Sequence, residues 1–343
     1  MWRAGGLAKL SRLQEAEIMR FFYRRGNASA LTSSAVSIAV LLCCAVFAHT
    51  TAATPQNPDL PSPPCLGADL SASSVQPPPA AELAAFTEAY SENKKGIAAI
   101  ADQPSDVQAA HRRFEEAARN GYPPAQVNLA ITYSQGWGTP RNDGAALYWL
   151  TLAANNGNDR ALFNLGQLYL EGCGVRRNYP EAFRLFRAAA MKGETAAQIN
   201  LGYMYDHGLA VPKDQAQAAA WYKKAADAGE PQAQFNLADL YVRGEGVAPN
   251  DDLAFQWFQK AALQGHGRAR VMLGSMYAAG RGTRRDLETG YVWVLSADLQ
   301  GDPRTQTYAL LFERQLSPAQ IARARMRARL LAPAARAELA LLH

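Results

Sequence analysis

Apolar residues return along this chain with helical spacing, and the whole pattern returns every 36 residues. Ala125, Leu129 and Tyr133 lie four residues apart, which puts them on one face of a helix. The triplet recurs as Ala161, Leu165 and Tyr169, then Ala197, Leu201 and Tyr205, then Ala233, Leu237 and Tyr241, then Ala269, Leu273 and Tyr277. The residue after each leucine is small (Ala130, Gly166, Gly202, Ala238, Gly274), so a neighbouring helix can approach there. A second helical stripe follows in each unit, with Ala146, Ala182, Ala218 and Ala254, then Trp149, Leu185, Trp221, Trp257 and Trp293. Neither helix can bury its stripe alone. The pattern therefore predicts an all-α fold, a solenoid of helix-turn-helix units, with the periodic tryptophans as core wedges.

Polar and glycine positions punctuate the stripes. Gly136, Gly172, Gly208, Gly244 and Gly280 close the first helices, since glycine takes the left-handed conformation without steric cost. Most open a Gly-x-Gly, with Ala210 replacing the second glycine in the third unit. Because these loops follow helices and recur in every unit, they are not nucleotide loops. Asn142, Asn178, Asp214, Asn250 and Asp286 stand where the second helices begin and are suited to cap them. Glu181 and Gln217 complete capping boxes. Gly157, Gly193, Gly229, Gly265 and Gly301 end these helices.

The pattern divides the chain. Five repeats occupy 125–305. A half-repeat at 107–121, with Ala110, Phe114, Ala117, Ala118 and Gly121, and a helix near 81–91 cap the front within 81–124. The segment 306–343 caps the back through Tyr308–Phe312 and a helix opened by Ser317, Pro318 and Gln320. Arg323, Arg325, Arg327 and Arg329 alternate along that helix and read as a solvated surface.

Residues 1–53 read as a leader. Arg20, Arg24 and Arg25 precede an uncharged run, Ala35–Ala48, and small residues suited to cleavage follow. That run falls short of the roughly 20 apolar residues of a spanning helix. Cleavage is expected, with an uncleaved anchor as the alternative, so the body faces the periplasm or the exterior. Met19 would start a more ordinary leader. Cys43 and Cys44 lack the small preceding residue of a lipoprotein signal. Residues 54–80, crowded with proline, form a linker. Residues 1–48 hold six basic and two acidic side chains, so the net charge of +5 falls to +1 without them. No clustered basic face remains for nucleic acid, and membrane contact is expected only through an uncleaved leader. Cys65 and Cys173 are left outside the leader and could pair in an oxidising compartment. The five histidines lack metal-site spacing, and neither a metal nor a cofactor is expected.

The run Asn200-Leu-Gly-Tyr-Met-Tyr205 with Trp221-Tyr-Lys-Lys-Ala-Ala226, and Asn236-Leu-Ala-Asp-Leu-Tyr241 with Trp257-Phe-Gln-Lys-Ala-Ala262, resembles the Sel-1-like repeat, a relative of the tetratricopeptide repeat. The resemblance covers about 107–305, and the fifth copy drifts at Met272, Gly290 and Asp298. It implies a right-handed α-solenoid that assembles protein complexes, and similarity to exported bacterial regulators and host-interaction proteins. In tetratricopeptide arrays, peptides lie on the concave face lined by first helices. Carried over by position, Asn128, Asn164, Asn200 and Asn236 fall there and could bond a peptide backbone or steady the stack. Two columns that vary between units also fall there: Ile131, Gln167, Tyr203, Asp239 and Ser275, and then Gln135, Glu171, His207, Arg243 and Ala279. Partner-binding candidates are therefore the four asparagines with Gln167, Tyr203, His207, Asp239 and Arg243. The reading is an exported, non-enzymatic scaffold for a protein or peptide partner, with a regulatory role included. One alternative is a wall or β-lactam hydrolase built on Glu171, Asp206, His207 and Asp239, although the paired cysteines of the β-lactamase-like branch are missing. Another is a spacer without a ligand.

Overall fold

The computed structural model describes residues 88, 91–93, 95–96, 107–297 and 303–331. The expected leader, linker and tail end lie outside them. All regular structure among the described residues is helical. Ten helices form five antiparallel pairs: α2 (Pro123–Gln135) with α3 (Asp143–Asn155), α4 (Asp159–Glu171) with α5 (Tyr179–Met191), α6 (Thr195–His207) with α7 (Gln215–Asp227), α8 (Pro231–Arg243) with α9 (Asp251–Leu263), and α10 (Gly267–Ala279) with α11 (Leu287–Leu295). Helix α1 (Val107–Arg119) precedes them, and α12 (Pro303–Glu313) and α13 (Pro318–Leu331) follow. Each helix from α1 to α11 packs against the next, giving one continuous pile. None of the helices is long and apolar enough to cross a membrane.

The core ignores unit boundaries. One apolar cluster joins Val127 and Ala130 to Ala161, Leu165 and Leu185 of the next unit. Another joins Phe163 and Phe186 to Ala197 and Leu201. No unit is complete alone, and stability is shared between units and their interfaces.

Three of the four periodic tryptophans are not the deep wedges, whereas Trp293 is buried. Trp149, Trp221 and Trp257 are only half-buried, while the following residue in each unit (Leu150, Phe186, Tyr222, Phe258, Val294) is almost fully buried. The small residue of the first helix explains this. A Cβ on Gly166 would stand 2.7 Å from the Phe186 ring, and one on Gly202 would stand 2.7 Å from the Tyr222 ring. The ring occupies the space that glycine leaves. The tryptophan beside it is covered by a lysine of its own helix, with Lys224 Nζ 3.8 Å from the Trp221 ring centre and Lys260 Nζ 3.9 Å from that of Trp257.

Two local devices set each turn. The capping side chains accept from the amide three residues on, as in Asn142 from Ala145 and Asp214 from Gln217. The same residues donate their own N–H to the tyrosine carbonyls, including Asn178 to Tyr169 at 2.8 Å and Asp286 to Tyr277 at 2.9 Å. One residue thus both starts the second helix and ties it to the end of the first. Across units, Gln126, Gln198, Gln234 and Arg270 donate to Ala118, Ala190, Ala226 and Ala262 carbonyls at the ends of the preceding second helices. Leu162 stands at this position in the second unit and lacks that donor.

At the front, residue 88 and residues 91–93 and 95–96 are helical, and most of the helix expected at 81–91 lies outside the described residues. Phe114 of α1 covers Gly96 as Phe186 covers Gly166. At the back, Ser317 and Gln320 form the expected capping box. Of the four tail arginines, Arg323 and Arg327 pair with Glu288, and Arg325 pairs with Glu313. They are exposed, yet Arg323 and Arg327 fasten α13 to the last repeat and Arg325 ties it to α12.

Candidate functional site

Successive first helices lie one unit apart, so columns that vary in sequence become neighbours in space. The asparagine column separates. Asn128 is fully buried and donates to Asn93 at 2.8 Å. Asn164 is also buried, and its amide nitrogen lacks a partner among the described residues. Asn200 donates to the Ala196 carbonyl on its own helix, and Asn236 accepts from Gln232. Gln167 is half-buried, whereas Ile131 and Ser275 of the same column are buried. Of the varying residues, Tyr203 pairs with His207 on α6 and Asp239 with Arg243 on α8, and Arg243 reaches across to α6 at Asp206.

Arg243 is the hub of these contacts. Its Nε donates to Asp239 at 2.9 Å, one turn earlier on α8. Its other nitrogens reach Glu245 in the following loop and Asp206 on α6, the latter at 3.8 Å. Gln215, at the start of α7, donates to Asp206 at 3.4 Å and to Glu245. The Arg243 side chain is 22% exposed, and those of Asp206 and Asp239 are each 13% exposed. Burial raises the Asp239 carboxyl above its usual pKa, against the pull of Arg243. The planar fork of arginine serves several carboxylates at once, which lysine could not do as well.

Beside this hub, the Tyr203 and His207 rings stack with centres 4.0 Å apart. His207 Nδ1 faces the Tyr203 carbonyl at 3.0 Å. The histidine is thus occupied by its own helix, and Asp206 and Asp239 are bound to a guanidinium. Glu171, the fourth group of the hydrolase alternative, joins none of these bonds. The cluster offers a polar, partly aromatic surface for recognition. Among the described residues, no group of three metal-ligating side chains comes together.

The sequence columns missed Tyr222, Gln215 and Glu245. For Tyr222 a signal existed: it alone carries a hydroxyl in the column Leu150, Phe186, Tyr222, Phe258, Val294. For Gln215 and Glu245, on the loop sides of their units, no periodic signal exists.

Paired helices stacked by a 36-residue period define an α-solenoid of the tetratricopeptide type. The Sel1 repeat matches residues 123–158, 159–194, 195–230, 231–266 and 267–302, and the chain belongs to the Sel1 repeat family. Its units begin where the first helices begin, two residues before the alanine column. Proteins of this family generally mediate protein–protein interaction. Among solved structures, the chain is similar to c5321, described as a protective antigen present in uropathogenic Escherichia coli strains displaying an SLR fold, at 30% identity and TM-score 0.62, over 71% of this chain and 53% of that one. It thus spans about half the length of the E. coli protein. It is also similar to a Sel1 repeat protein from Oxalobacter formigenes, at 29% identity and TM-score 0.57, over 63% of this chain and 88% of the other. No curated protein matches the chain.

Proposed function

We propose that this chain is an exported scaffold that holds a protein partner in the cell envelope, on the face lined by its first helices, and so regulates that partner's assembly. The observation that carries this reading is the pairing of Tyr203 with His207 on α6 and of Asp239 with Arg243 on α8, linked across the third and fourth units by the Arg243–Asp206 ion pair. These are residues that break the repeat, so they are not needed to build it, and stacking sets Arg243 beside α6 at Asp206. Side chains of that kind are where a solenoid distinguishes one partner from another. Export is supported by the leader-like start and by the disulfide at Cys173. Such bonds persist in oxidising compartments. The other three cysteines, Cys65 included, lie outside the described residues.

The test is capture from envelope extracts with the full chain as bait, alongside Tyr203→Ala and Arg243→Ala. Tyr203 is half-exposed, so its truncation leaves the core intact. A specific partner captured by the parent is expected to fall about tenfold or more with each variant, as for truncation of an interface anchor. Equal capture by all three would place the partner on another face.

A further inference from the structure

Charge is distributed unevenly between the repeats and the cap behind them. The five repeats (123–302) hold 17 basic and 17 acidic side chains, whereas α12 and α13 with their connection (303–331) hold six arginines and one glutamate. The positive surplus outside the leader therefore lies at one end of the stack. The structure divides these arginines. Arg323 and Arg327 pair with Glu288, and Arg325 pairs with Glu313, so two carboxylates meet three guanidinium groups. Arg314 and Arg329 are exposed and make no ion pair among the described residues.

A second observation is independent of charge. Met326 on α13 is 70% exposed, and Leu310 on α12 is 56% exposed. Each helix keeps its packing residues on the opposite side. Helix α13 buries Ala324 and Ala328, and α12 buries Tyr308 and Phe312. The helical period then sets Met326 and Leu310 on the outer faces. An unpaired arginine lies one turn on from each. Arg329 follows Met326 by three residues, and the Arg314 N–H donates to the Leu310 carbonyl, which completes the last turn of α12. The packing of the cap on the last repeat uses neither pair.

We propose that the two cap helices dock on an anionic lipid surface. Arg314 and Arg329 meet the headgroup phosphates, and the Leu310 and Met326 side chains enter the boundary below them. Arginine stems beside outward apolar side chains suit such a boundary. The surplus charge is spread over two helices, and its apolar companions stand outward singly. That pattern meets a broad surface of one sign better than it grips a single segment. The inference goes beyond the scaffold reading and does not depend on it.

The probe is a pair of vesicle preparations, phosphatidylcholine alone and phosphatidylcholine with phosphatidylglycerol in equal parts, each sedimented with the full chain. The leader is common to every variant, so differences between variants report the cap. The full chain is expected to bind the mixed vesicles about tenfold more tightly than the neutral ones. Arg314→Gln combined with Arg329→Gln should weaken that binding about tenfold. Met326→Ser should weaken it about threefold, through the apolar contact alone. Arg176→Gln combined with Arg187→Gln removes an equal charge from exposed, unpaired sites of the second unit and should leave binding unchanged. Equal binding of the two vesicle types would overturn the proposal. So would unaltered binding in Met326→Ser, or equal losses in the two double variants. A short polyglutamate peptide that binds as tightly as the mixed vesicles, with the same dependence on Arg314 and Arg329, would give the surface to an acidic protein and overturn the lipid assignment.

Discussion

The third unit departs from the repeat at Ala210 and the fifth, among its departures, at Gly290, and these two breaks have opposite physical meaning. In the fifth unit Gly290 replaces the alanine of the second helix, whose counterparts Ala146, Ala182, Ala218 and Ala254 are all fully buried. A Cβ on Gly290 would lie 2.6 Å from the Gly274 carbonyl oxygen and 2.9 Å from the Phe312 ring. The two helices of this unit touch backbone to backbone, and the space left over seats the cap. In the third unit Ala210 replaces a loop glycine and keeps a glycine-like φ of 68°, close to the 70° of Gly138 and 71° of Gly246. Here the side chain adds left-handed strain at an exposed position. A departure from a repeat is a built feature when a neighbour uses the space it creates. Otherwise it is tolerated cost.

Gly290→Ala should break the comparison most sharply. The new methyl must push α10 and α11 apart or displace Phe312, costing about 2–3 kcal/mol. Chemical denaturation would show it, and hydrogen exchange should place the loss in α11 to α13. Stability equal to the parent would reduce Gly290 to simple drift.

A smaller effect, dependent on pH, lies at the unit boundary before α10. His266 caps that helix by accepting at Nδ1 from Ala269 N–H, 3.1 Å away, and stacks on Phe235. Burial lowers its pKa to about 4. The folded state keeps the ring neutral, whereas the unfolded chain protonates it below about 6.5. Stability is therefore lost as pH falls from about 6.5 through 4, on the order of 1–2 kcal/mol by pH 5. His266→Asn keeps a capping oxygen and removes the titration. Its stability should fall less than the parent's between pH 7 and 5, as read by thermal unfolding at each pH. Parallel curves would refute the assignment.

The smallest effect is expected at Ala210. Ala210→Gly relieves the left-handed strain and should stabilise the chain by about 0.5–1 kcal/mol. A loss of stability would mean that the methyl packs usefully after all, and the contrast with Gly290 would collapse.

Much of this molecule was legible before its structure. The tyrosine and cap columns predicted both helices and their turn because the devices are local. Asn178 and Tyr169, only nine residues apart, carry the hydrogen bond that joins them. The tryptophan column misled at Trp149, Trp221 and Trp257, though not at Trp293, because side-chain size suggested a wedge where the geometry wanted the next residue. Size is visible in sequence, but the direction in which a helix face looks depends on the helix stacked above it. The candidate site was legible in half. Tyr203, His207, Asp239 and Arg243 stood out by breaking their columns. Asn164 and Asn128 shared a column with Asn200 and ended buried, because burial changes along the stack while the period does not.

What the sequence alone determined is the unit, its length and its ends, since capping side chains, left-handed glycines and four-residue apolar spacing act within a dozen residues. Only the tertiary structure decided which polar groups of successive units share one hub, and that the Tyr222 ring fills the space beside Gly202. Such meetings depend on the rotation of one helix pair on the next, which the summed packing of the whole pile sets and no single unit encodes.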